Sequence, residues 1–396
     1  MEGIRDLSTG DAKEKSERDP TLVFGTASFM SDTSSDMIAP IWPTFLQIRL
    51  GLSFFQIGIV DGLALTITSL SKLGAGYASD RTGKRKAFIS VGYFLSTISR
   101  LGFLLATGFY QILFFKSTDR FGKMRGPPRD AIVAGFVDEE KRGRAFGILR
   151  AMDTAGAVLG SVITALLFVY LGYTGIILLA VLPGVGSVIV VAVLIEEKKG
   201  KDVFKGVSFR GLDQNLKIFL FASILFSLAT FSYSFLMLFS QGFGYLESQL
   251  PLLYILFTAV YAASAYPFGR ASDRFGRKPI LLMAFILLIL TSAWAFIVSD
   301  WLTIIPLFIL FGLMNGALDP VQTALVSDLV EEERRSSILG AFQMSIGLCA
   351  LPAGIIIGYL WDAIGPLVAF QYSIVLALIA TIALLLVRTK DDQGPQ

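Results

Sequence analysis

The apolar residues of this 396-residue chain gather in long runs that follow one another from residue 21 to residue 387. A helical run of about 18 such residues can cross the hydrocarbon core of a bilayer. The pattern therefore predicts twelve membrane-spanning helices, spans 1 to 12, at residues 21–47, 54–78, 87–107, 109–135, 144–169, 174–195, 216–240, 250–269, 280–299, 302–327, 337–360 and 366–387. The expected fold class is an all-α membrane protein.

Positive charges outside the spans are distributed unevenly. Lys and Arg residues other than Arg49 occur there in the N-terminal tail, in the loops after even-numbered spans and at the C terminus. Positively charged loops remain in the cytoplasm during insertion. We therefore expect a multi-pass protein with cytoplasmic tails at 1–20 and 389–396 and a cytoplasmic linker at 196–214. The lack of long extramembrane domains fits a prokaryotic plasma membrane.

Composition narrows the chemistry further. The chain is 54% hydrophobic and contains 38 Gly, one Cys and no His. Glycines within the apolar runs suit helices that pack closely in lipid. Without His there is no imidazole proton relay and no imidazole metal ligand, and no phosphate-binding loop motif occurs. We expect no metal and no cofactor, and we attribute the net charge of +3 to topology rather than to nucleic-acid binding.

One motif occurs twice in the chain. Residues 76–86 read GYASDRTGKRK and residues 269–278 read GRASDRFGRK, with the two starting glycines 193 residues apart. About half the chain length is the interval expected when two halves repeat one plan in a membrane protein. This repeat predicts an N-terminal six-helix bundle at 21–195 and a C-terminal one at 215–388.

Because of this repeated motif, the twelve spans and the long central loop, the chain resembles the major facilitator superfamily over residues 20–390. The resemblance implies two six-helix bundles, related by pseudo-two-fold symmetry, around a central cavity that opens alternately to each side. It implies a monomer. It also implies that the motif fastens the bundles together on the cytoplasmic face while the cavity faces outward. The residues of this predicted gate are Gly76, Asp80, Arg81, Gly83, Arg85, Asp130, Gly269, Asp273, Arg274 and Gly276.

The residue types of the motif suit such a gate. Gly76 would permit close approach of a neighbouring helix, Asp80 could cap the N terminus of another helix, and Gly83 allows a turn. In the alternative interpretation the basic residues, such as Arg81 and Arg85, serve membrane topology alone.

Ionisable residues within the spans are concentrated in the first half of the chain. A charged side chain at mid-membrane costs about 2.5–3.5 kcal/mol, so each one needs a partner or a role. Asp32 and Asp36 lie four residues apart and share a helix face. Desolvation favours protonated carboxyls, so such a pair could carry protons; structural ion pairs with Arg100 or Arg120 are the alternative. The candidates for proton coupling are Asp32, Asp36, Asp61 and Asp153.

Span 4 is rich in basic residues. At 100° per residue, one arc of this helix holds Lys116, Asp119, Arg120, Lys123 and Asp130. Arg125 and Arg129 lie nearly opposite. A stripe this basic must face a cavity or other helices rather than lipid. The resemblance implies that helix 4 lines the cavity and carries a functional arginine, for which Arg120 is nearest to mid-membrane.

The second half offers mainly amide and aromatic groups, with Asp319 as its acid well inside a span. Span 10 shares a Phe-Gly-x-Met-x-Gly string with span 4, beginning at Phe311 and Phe121. Its remaining polar and aromatic candidates are Asn315, Gln322, Gln343, Tyr233, Tyr254, Tyr261 and Phe235. Interhelical bonding or packing is the alternative role for these groups. The predicted substrate contacts of both halves are Arg120, Lys116, Lys123, Arg125, Asn315 and Gln343.

Span 5 contains glycines at positions 147, 156 and 160. Their spacing resembles a signature of drug/proton antiporters. The match is partial, because Ser161 stands where that signature has proline and Thr164 where it has glycine. Ordinary glycine-mediated packing of two helices is the alternative.

These features predict a secondary active transporter that moves a small solute by alternating access, as a proton-coupled antiporter that exports its solute. Proton-coupled uptake, or uniport, of a small anionic solute is the alternative within this class. A non-transporting membrane sensor on the same fold is the alternative from another class. We expect no enzyme, since neither an activated nucleophile nor a metal constellation is found. The expected partners are the solute, protons and the lipid bilayer.

Overall fold

The computed structural model describes residues 19–138, 141–195, 213–331 and 334–388. Within these ranges the chain is helical and contains no β-strand. The predicted tails, except for residues 19 and 20, and the predicted linker, except for 213 and 214, lie outside the described residues.

The first half of the chain forms helices α1 to α6. Helix α1 is built from consecutive segments, Pro20–Ile38, Ala39–Ile41, Trp42–Thr44 and Phe45–Arg49. Helix α2 is Phe54–Thr82 and α3 is Arg85–Leu105. Helix α4 comprises Phe109–Phe121, a 3₁₀ turn at Gly122–Arg125, and Gly126–Phe136. Helices α5 and α6 form one run, Arg142–Leu194, that divides at Gly172, whose φ of 58° and ψ of −169° are not helical.

The second half forms helices α7 to α12. Helix α7 consists of Gln214–Ala229 and Tyr233–Gln241, separated by a non-helical break. The remaining helices are α8 at Leu250–Phe275, α9 at Arg277–Trp294, α10 at Ile305–Asp328, α11 at Arg335–Ala363 and α12 at Pro366–Leu385.

The twelve predicted spans correspond to these twelve helices. By length and apolar composition, nine helical runs in the described part of the chain can cross a membrane. Helices α5 and α6 count there as a single run. Helices α1 and α4 are divided into short segments next to prolines, including Pro40 and Pro127, because proline cannot donate the helical hydrogen bond. The all-α membrane fold predicted from the sequence is confirmed.

Some predicted boundaries were wrong. Span 8 was expected to end at 269, but α8 continues to Phe275, because the polar motif residues complete its last turns. Span 9 was expected to reach 299, but α9 ends at Trp294 and the apolar residues after it form turns. The repeated motif is therefore largely helical. After α2 the chain turns at Gly83, whose φ of 68° lies in the left-handed region that favours glycine.

The helices group into two bundles with separate apolar cores. The largest core cluster is formed by buried residues of α7 to α12 and their loops, and two smaller clusters by buried residues of α1 to α6, to which Leu238 of α7 is added. We call α1–α6 the N-bundle and α7–α12 the C-bundle. The face on which α1 begins and α12 ends is called the terminal face, and the other is called the opposite face.

The glycines of α5 bring this helix against the backbone of α1. A Cβ atom at Gly156 would collide with the carbonyl oxygen of Phe29, and one at Gly160 with that of Thr33. Thr164 Oγ1 donates a hydrogen bond of 2.6 Å to the Met37 carbonyl. The residue that replaces a signature glycine therefore still bonds to α1, and this contact holds the stretch of α1 that carries Asp32 and Asp36. Gly147 has no heavy atom within reach of such a Cβ.

Candidate functional site

The two bundles meet along α2 and α11. A Cβ atom at Gly58 would collide with the Gly354 carbonyl, and one at Gly354 would collide with the Gly58 carbonyl, so the two backbones are in direct contact. Further along, Thr66 Oγ1 donates to the Gly347 carbonyl at 2.8 Å. This seam runs from the opposite face to about the middle of α2.

At the opposite face, a carboxylate of one bundle holds the start of a helix in the other. Asp362, at the end of α11, accepts hydrogen bonds from the backbone N–H groups of Phe54 at 3.1 Å and Phe55 at 2.8 Å. These are orphan donors at the positive end of α2, where an anion is favourable. The Phe54 ring stacks on Trp361, with centroids 5.1 Å apart. Asp362 was not among the predicted site residues, because nothing in the sequence pairs it with α2.

A second contact on this face joins the loops. Tyr173 Oη donates a 2.6 Å hydrogen bond to Glu247 Oε2, which lies between α7 and α8. Together with the Asp362 contact and the α2–α11 seam, it closes the space between the bundles on the opposite face.

Deeper in the same interface, Asp61 of α2 reaches the break in α7. Its Oδ2 accepts from Ser232 Oγ at 2.7 Å and Ser234 Oγ at 2.5 Å, and its Oδ1 accepts from Trp42 Nε1 at 3.0 Å. Ser232 is also the N-cap of the half-helix Tyr233–Gln241. Three donors and the positive end of a half-helix explain how a carboxylate only 9% exposed is accommodated without an ion pair to any basic side chain that the structure describes.

Asp36 makes the complementary crossing from α1. Its Oδ1 accepts a 2.9 Å hydrogen bond from Tyr254 Oη of α8. Nearby, Tyr233 Oη donates at 3.2 Å to the Ala39 carbonyl, at the start of the 3₁₀ turn of α1. Two of the four predicted proton-coupling carboxylates, Asp36 and Asp61, therefore bond to hydroxyl groups of the C-bundle.

The other two predicted carboxylates bond within the N-bundle. Asp32 Oδ1 lies 3.5 Å from Lys123 Nζ. Asp153 lies 3.6 Å from both Arg129 and Arg150. The pair of Asp153 with Arg150 is local, because the two residues lie three positions apart on α5.

The bundles separate toward the terminal face. Between described residues, the hydrogen bonds that join the bundles lie on the opposite face or no deeper than Thr66 and Gly347. Asp319 and Gln343, far inside their helices, remain exposed. This structure is thus closed on the opposite face and open to the terminal face.

The first copy of the predicted gate bonds within its own bundle in this state. Asp80 Oδ1 accepts a 2.6 Å hydrogen bond from Arg85, at the start of α3. Arg81 donates to Tyr77 Oη at 3.1 Å. The predicted close approach at Gly76 is not needed here, because a Cβ there would lie an ordinary 3.5 Å from Pro127.

The second copy differs in its partners. Asp273 pairs with Arg277, which also bonds to Asp328 at 3.1 Å. Arg274 lies 5.3 Å from the centre of the Phe275 ring. Gly269 faces open space, and Gly276 has a φ of 92° at the boundary between α8 and α9.

The basic stripe of α4 is divided by its 3₁₀ turn. A 3₁₀ helix advances 120° per residue rather than 100°, so the turn rotates the residues after it by about 80° relative to a regular α-helical wheel, and the predicted position of Arg129 nearly opposite the arc is wrong. Asp130 stays on the side of the arc after this rotation. It pairs at 2.9 Å with Arg129, which the wheel had put nearly opposite.

Arg125 and Arg129 are buried among helices of the N-bundle. Arg125 donates to Ser96 Oγ at 3.1 Å and to Ser31 Oγ at 2.9 Å, and its guanidinium lies 4.5 Å from the centre of the Tyr93 ring. Arg129 donates to Ser28 Oγ at 2.5 Å besides its two carboxylate partners. The structure thus gives Arg125, a predicted substrate contact, hydrogen-bond partners inside the bundle.

Lys116 and Arg120 instead line a small central pocket of about 20 Å³ at the bundle interface. We define this central pocket by its polar residues, which are Ser35, Arg100, Lys116, Asp119, Arg120 and Tyr233. Arg120 Nε lies 3.4 Å from Asp119 Oδ2. The sequence analysis weighed Arg100 only as an ion-pair partner, whereas its guanidinium is 1% exposed and bonds to Ser34 and, at 2.7 Å, to Ser35.

The predicted substrate contacts of the C-bundle form hydrogen bonds with neighbouring groups of the same bundle. Asn315 Nδ2 donates to the Phe311 carbonyl of the preceding turn at 2.8 Å. Gln343 Nε2 lies 3.4 Å from Thr323 Oγ1. Tyr261 Oη donates to Asp319 Oδ2 at 2.8 Å. Within the described ranges, no group of three or more carboxylate or thiol side chains is arranged to hold a metal ion.

Comparison with known proteins gives this arrangement a family. The sequence profile of the Major Facilitator Superfamily matches residues 24–245 and 218–396. An uncharacterised transporter of that type from Methanocaldococcus jannaschii is 36% identical over 402 residues, which cover 97% of this chain and 100% of the relative.

Two more distant proteins share the plan. The multi-drug resistance efflux pump PmrA of Streptococcus pneumoniae is 24% identical over 339 residues, covering 80% of this chain and 83% of the pump. The crystal structure of a variant of the nucleoside transporter NupG matches with a TM-score of 0.79 at 15% identity, over 92% of this chain and 99% of that one. Profile, relatives and fold agree, and the chain belongs to the major facilitator superfamily of membrane transporters.

Proposed function

We propose that this transporter exports a small solute in exchange for protons. The observation that carries the proposal is that Asp36 and Asp61, on two helices of the N-bundle, each bond to hydroxyl groups of the C-bundle. Relative movement of the bundles therefore changes the surroundings of both carboxylates at once.

The physical coupling follows from these bonds. Opening the opposite face separates Asp36 from Tyr254 and separates Asp61 from Ser232 and Ser234. A carboxylate that loses its hydrogen-bond donors is more easily protonated, so this opening favours proton uptake from the opposite face. Closing the face restores the donors and favours proton release toward the terminal face. Each cycle then carries protons inward, and their gradient can drive a solute outward.

We infer the direction from orientation and likeness. Positive loops on the terminal face indicate that this face is cytoplasmic, in a prokaryotic plasma membrane. The likeness to an efflux pump and the α5 glycines packed on α1 favour export over uptake. In the opposite state, with the cavity open outward, Asp80, Asp130 and their motif partners would fasten the cytoplasmic face. We propose a monomer as the working unit.

Substrate contacts are proposed where both bundles face the open space. Arg120, Lys116 and Lys123 belong to the N-bundle, and Asn315 and Gln343 to the C-bundle. Arg125 is dropped from this set, because it is buried within the N-bundle and does not line the pocket that holds Arg120.

The test is proton flux in proteoliposomes loaded with a pH-sensitive dye, with a panel of anionic, cationic and neutral solutes. We expect one solute class to elicit proton movement in the opposite direction, and we expect this flux to be lost in Asp36→Asn and in Asp61→Asn. Asp138→Asn, at an exposed position on the terminal face, is the matched control and should behave as wild type. Solute transport without proton flux, or normal flux in both variants, would contradict the proposal; flux in the same direction as the solute would assign uptake.

A further inference from the structure

The central pocket has an excess of positive charge. Arg100, Lys116 and Arg120 line it, and Asp119 is the acid in its wall. Other charged groups of the N-bundle form ion pairs, as in the Lys123–Asp32 pair and the cluster of Arg129 with Asp130 and Asp153. Uncompensated buried cations are costly, so a site of this kind is stabilised by an anion.

Lys116 is the least satisfied member of the pocket. Its side chain is 7% exposed, and its ammonium lies 3.5 Å from the centre of the Trp42 ring. Neither a hydrogen bond nor an ion pair links this ammonium to another described residue. A cation–π contact replaces only part of the hydration that an ammonium loses on burial. An ammonium has three N–H donors and seeks acceptors.

The two arginines of the pocket also have donors to spare. Arg100 bonds to neutral groups, namely the hydroxyls of Ser34 and Ser35 and, at 3.4 Å, the Ser31 carbonyl. The buried Nε of Arg120 has no hydrogen-bond partner. Three cations on two neighbouring helices thus point donors at one small volume.

We propose that the central pocket binds the anionic group of the transported solute, a carboxylate or another monoanion of similar size. At about 20 Å³ the pocket is roughly the size of one water molecule, so only the charged end of a solute could enter it, and the rest of the solute would extend into the space that opens to the terminal face. The assignment to cargo rests on the proposed transport function. The same donors would also accept a free inorganic anion, and the experiment separates the two.

Tyr233 gives this pocket a link to the other bundle. It is the C-bundle residue in the pocket wall, and its hydroxyl bonds to the Ala39 carbonyl of α1 at 3.2 Å. An anion between Arg120 and Tyr233 would therefore contact both bundles. The affinity for the anion therefore differs between the closed and open states, and a solute must bind the two states with different affinity to drive a conformational change.

The first experiment measures binding without any proton gradient. The purified transporter is titrated with sodium propionate, with sodium chloride and with propionamide, the neutral analogue of propionate. The readouts are tryptophan emission, which reports on Trp42 beside Lys116, and the melting temperature. We expect propionate to quench or shift the emission and to raise the melting temperature, and we expect propionamide to do neither.

Variants assign the response to the pocket. Lys116→Gln and Arg120→Gln should each weaken propionate binding about tenfold or more, the loss expected when one charge-assisted hydrogen bond is removed. Lys116→Arg keeps the charge and should retain binding, and it also shows that the site tolerates substitution if Lys116→Gln does not fold. Lys141→Gln, an exposed position on the terminal face, is the matched control.

The outcomes are distinct. An equal response to propionate and propionamide, or binding unchanged in Lys116→Gln and Arg120→Gln, would overturn the anion site. A response to chloride alone would overturn its assignment to the cargo. Because no gradient is present, loss of proton coupling in the flux assay leaves this result unaffected, and the two proposals can fail separately.

Discussion

The N-bundle and the C-bundle share one plan but differ in what fills their interiors. Among the described residues, every buried charged side chain belongs to the N-bundle: Asp61, Arg85, Arg100, Lys116, Asp119, Arg125 and Arg129. The C-bundle is filled by stacked aromatic rings, such as Phe226 on Phe285 with centroids 3.9 Å apart. One half therefore carries charge and the other presents neutral surface to it.

The repeat makes this difference visible at single positions. Tyr254 lies 193 residues after Asp61, the interval between the two copies of the motif. Both side chains cross to the first helix of the other bundle, Asp61 as an acceptor at the break in α7 and Tyr254 as a donor to Asp36. The two equivalent positions therefore both make a contact between the bundles, but only position 61 carries a carboxylic acid.

The largest difference should appear when these two equivalent positions are changed. Asp61→Asn places an amide against three donors, so we expect proton-coupled transport to fall to the level of empty liposomes. Tyr254→Phe removes one hydrogen bond, worth about 1 kcal/mol, and should slow transport several-fold without abolishing it. Proton flux in proteoliposomes measures both. An equal loss of transport in the two variants would show that Asp61 has no role beyond the hydrogen bonding that it shares with Tyr254.

A smaller effect is expected from the buried ion pairs. Arg129→Gln leaves Asp130 and Asp153 without their shared cation, and removing one partner of such a cluster costs about 3 kcal/mol. In the Phe-Gly-x-Met-x-Gly alignment of α4 with α10, its counterpart is Asp319. Asp319→Asn keeps a partner for Tyr261 and should cost less than about 1 kcal/mol. Thermal unfolding in detergent measures the destabilisation of both variants. A similar loss of stability in the two would contradict the conclusion that only the N-bundle depends on buried ion pairs.

The seam between the bundles should respond to added volume. Gly58→Ala would press against the Gly354 carbonyl, and overpacking of this kind costs about 1–3 kcal/mol. Because the overlap exists only while the opposite face is closed, we expect the population to shift toward the state open on that face. Accessibility labelling of cysteines placed on each face, in a Cys349→Ser background, measures the shift. Gly74→Ala, in the same helix but facing open space, is the control and should leave labelling unchanged.

The smallest effect concerns the loops on the opposite face. Asp300 accepts from the backbone N–H groups of Leu302 at 2.9 Å and Thr303 at 3.0 Å, and these bonds, that of Thr303 foremost, lower its pKa. Because the pKa of Asp300 is lower in the folded state, its hydrogen bonds stabilise the turn at pH values above the pKa of the unfolded state. This stabilisation is lost as the pH falls through the pKa of the folded state.

The N-bundle again provides the comparison. Its α3–α4 turn is held by the neutral amide of Gln111, which accepts from the Thr107 N–H at 2.8 Å. Below about pH 4, the ordinary value of an aspartate, hydrogen exchange should quicken in the Asp300 turn relative to the Gln111 turn. Parallel behaviour of the two turns would remove this distinction.

Much of the fold followed from local chemistry. Long apolar runs fixed the number of helices, and the repeated motif marked the ends of α2 and α8. The sites were harder. Lys116 and Arg120, predicted from the sequence as substrate contacts, both line the central pocket, and that role stays a prediction. The phase of α4 beyond Gly122 was wrong, since a 3₁₀ turn leaves no periodic signature. Contacts between the bundles, such as that of Asp362 with α2, depend on residues about 300 positions apart, and no local pattern encodes them.

The Asp362 contact has two unequal sides. Its acceptor is one particular side chain, whereas its donors are backbone N–H groups that every residue except proline supplies. Most substitutions at position 55 should therefore leave this contact intact. Position 362 has no such freedom. In a saturation mutagenesis experiment, we expect most substitutions at position 362 to impair transport and most substitutions at position 55 to be tolerated. This asymmetry would show that one side of the contact depends on a side chain and the other on the backbone.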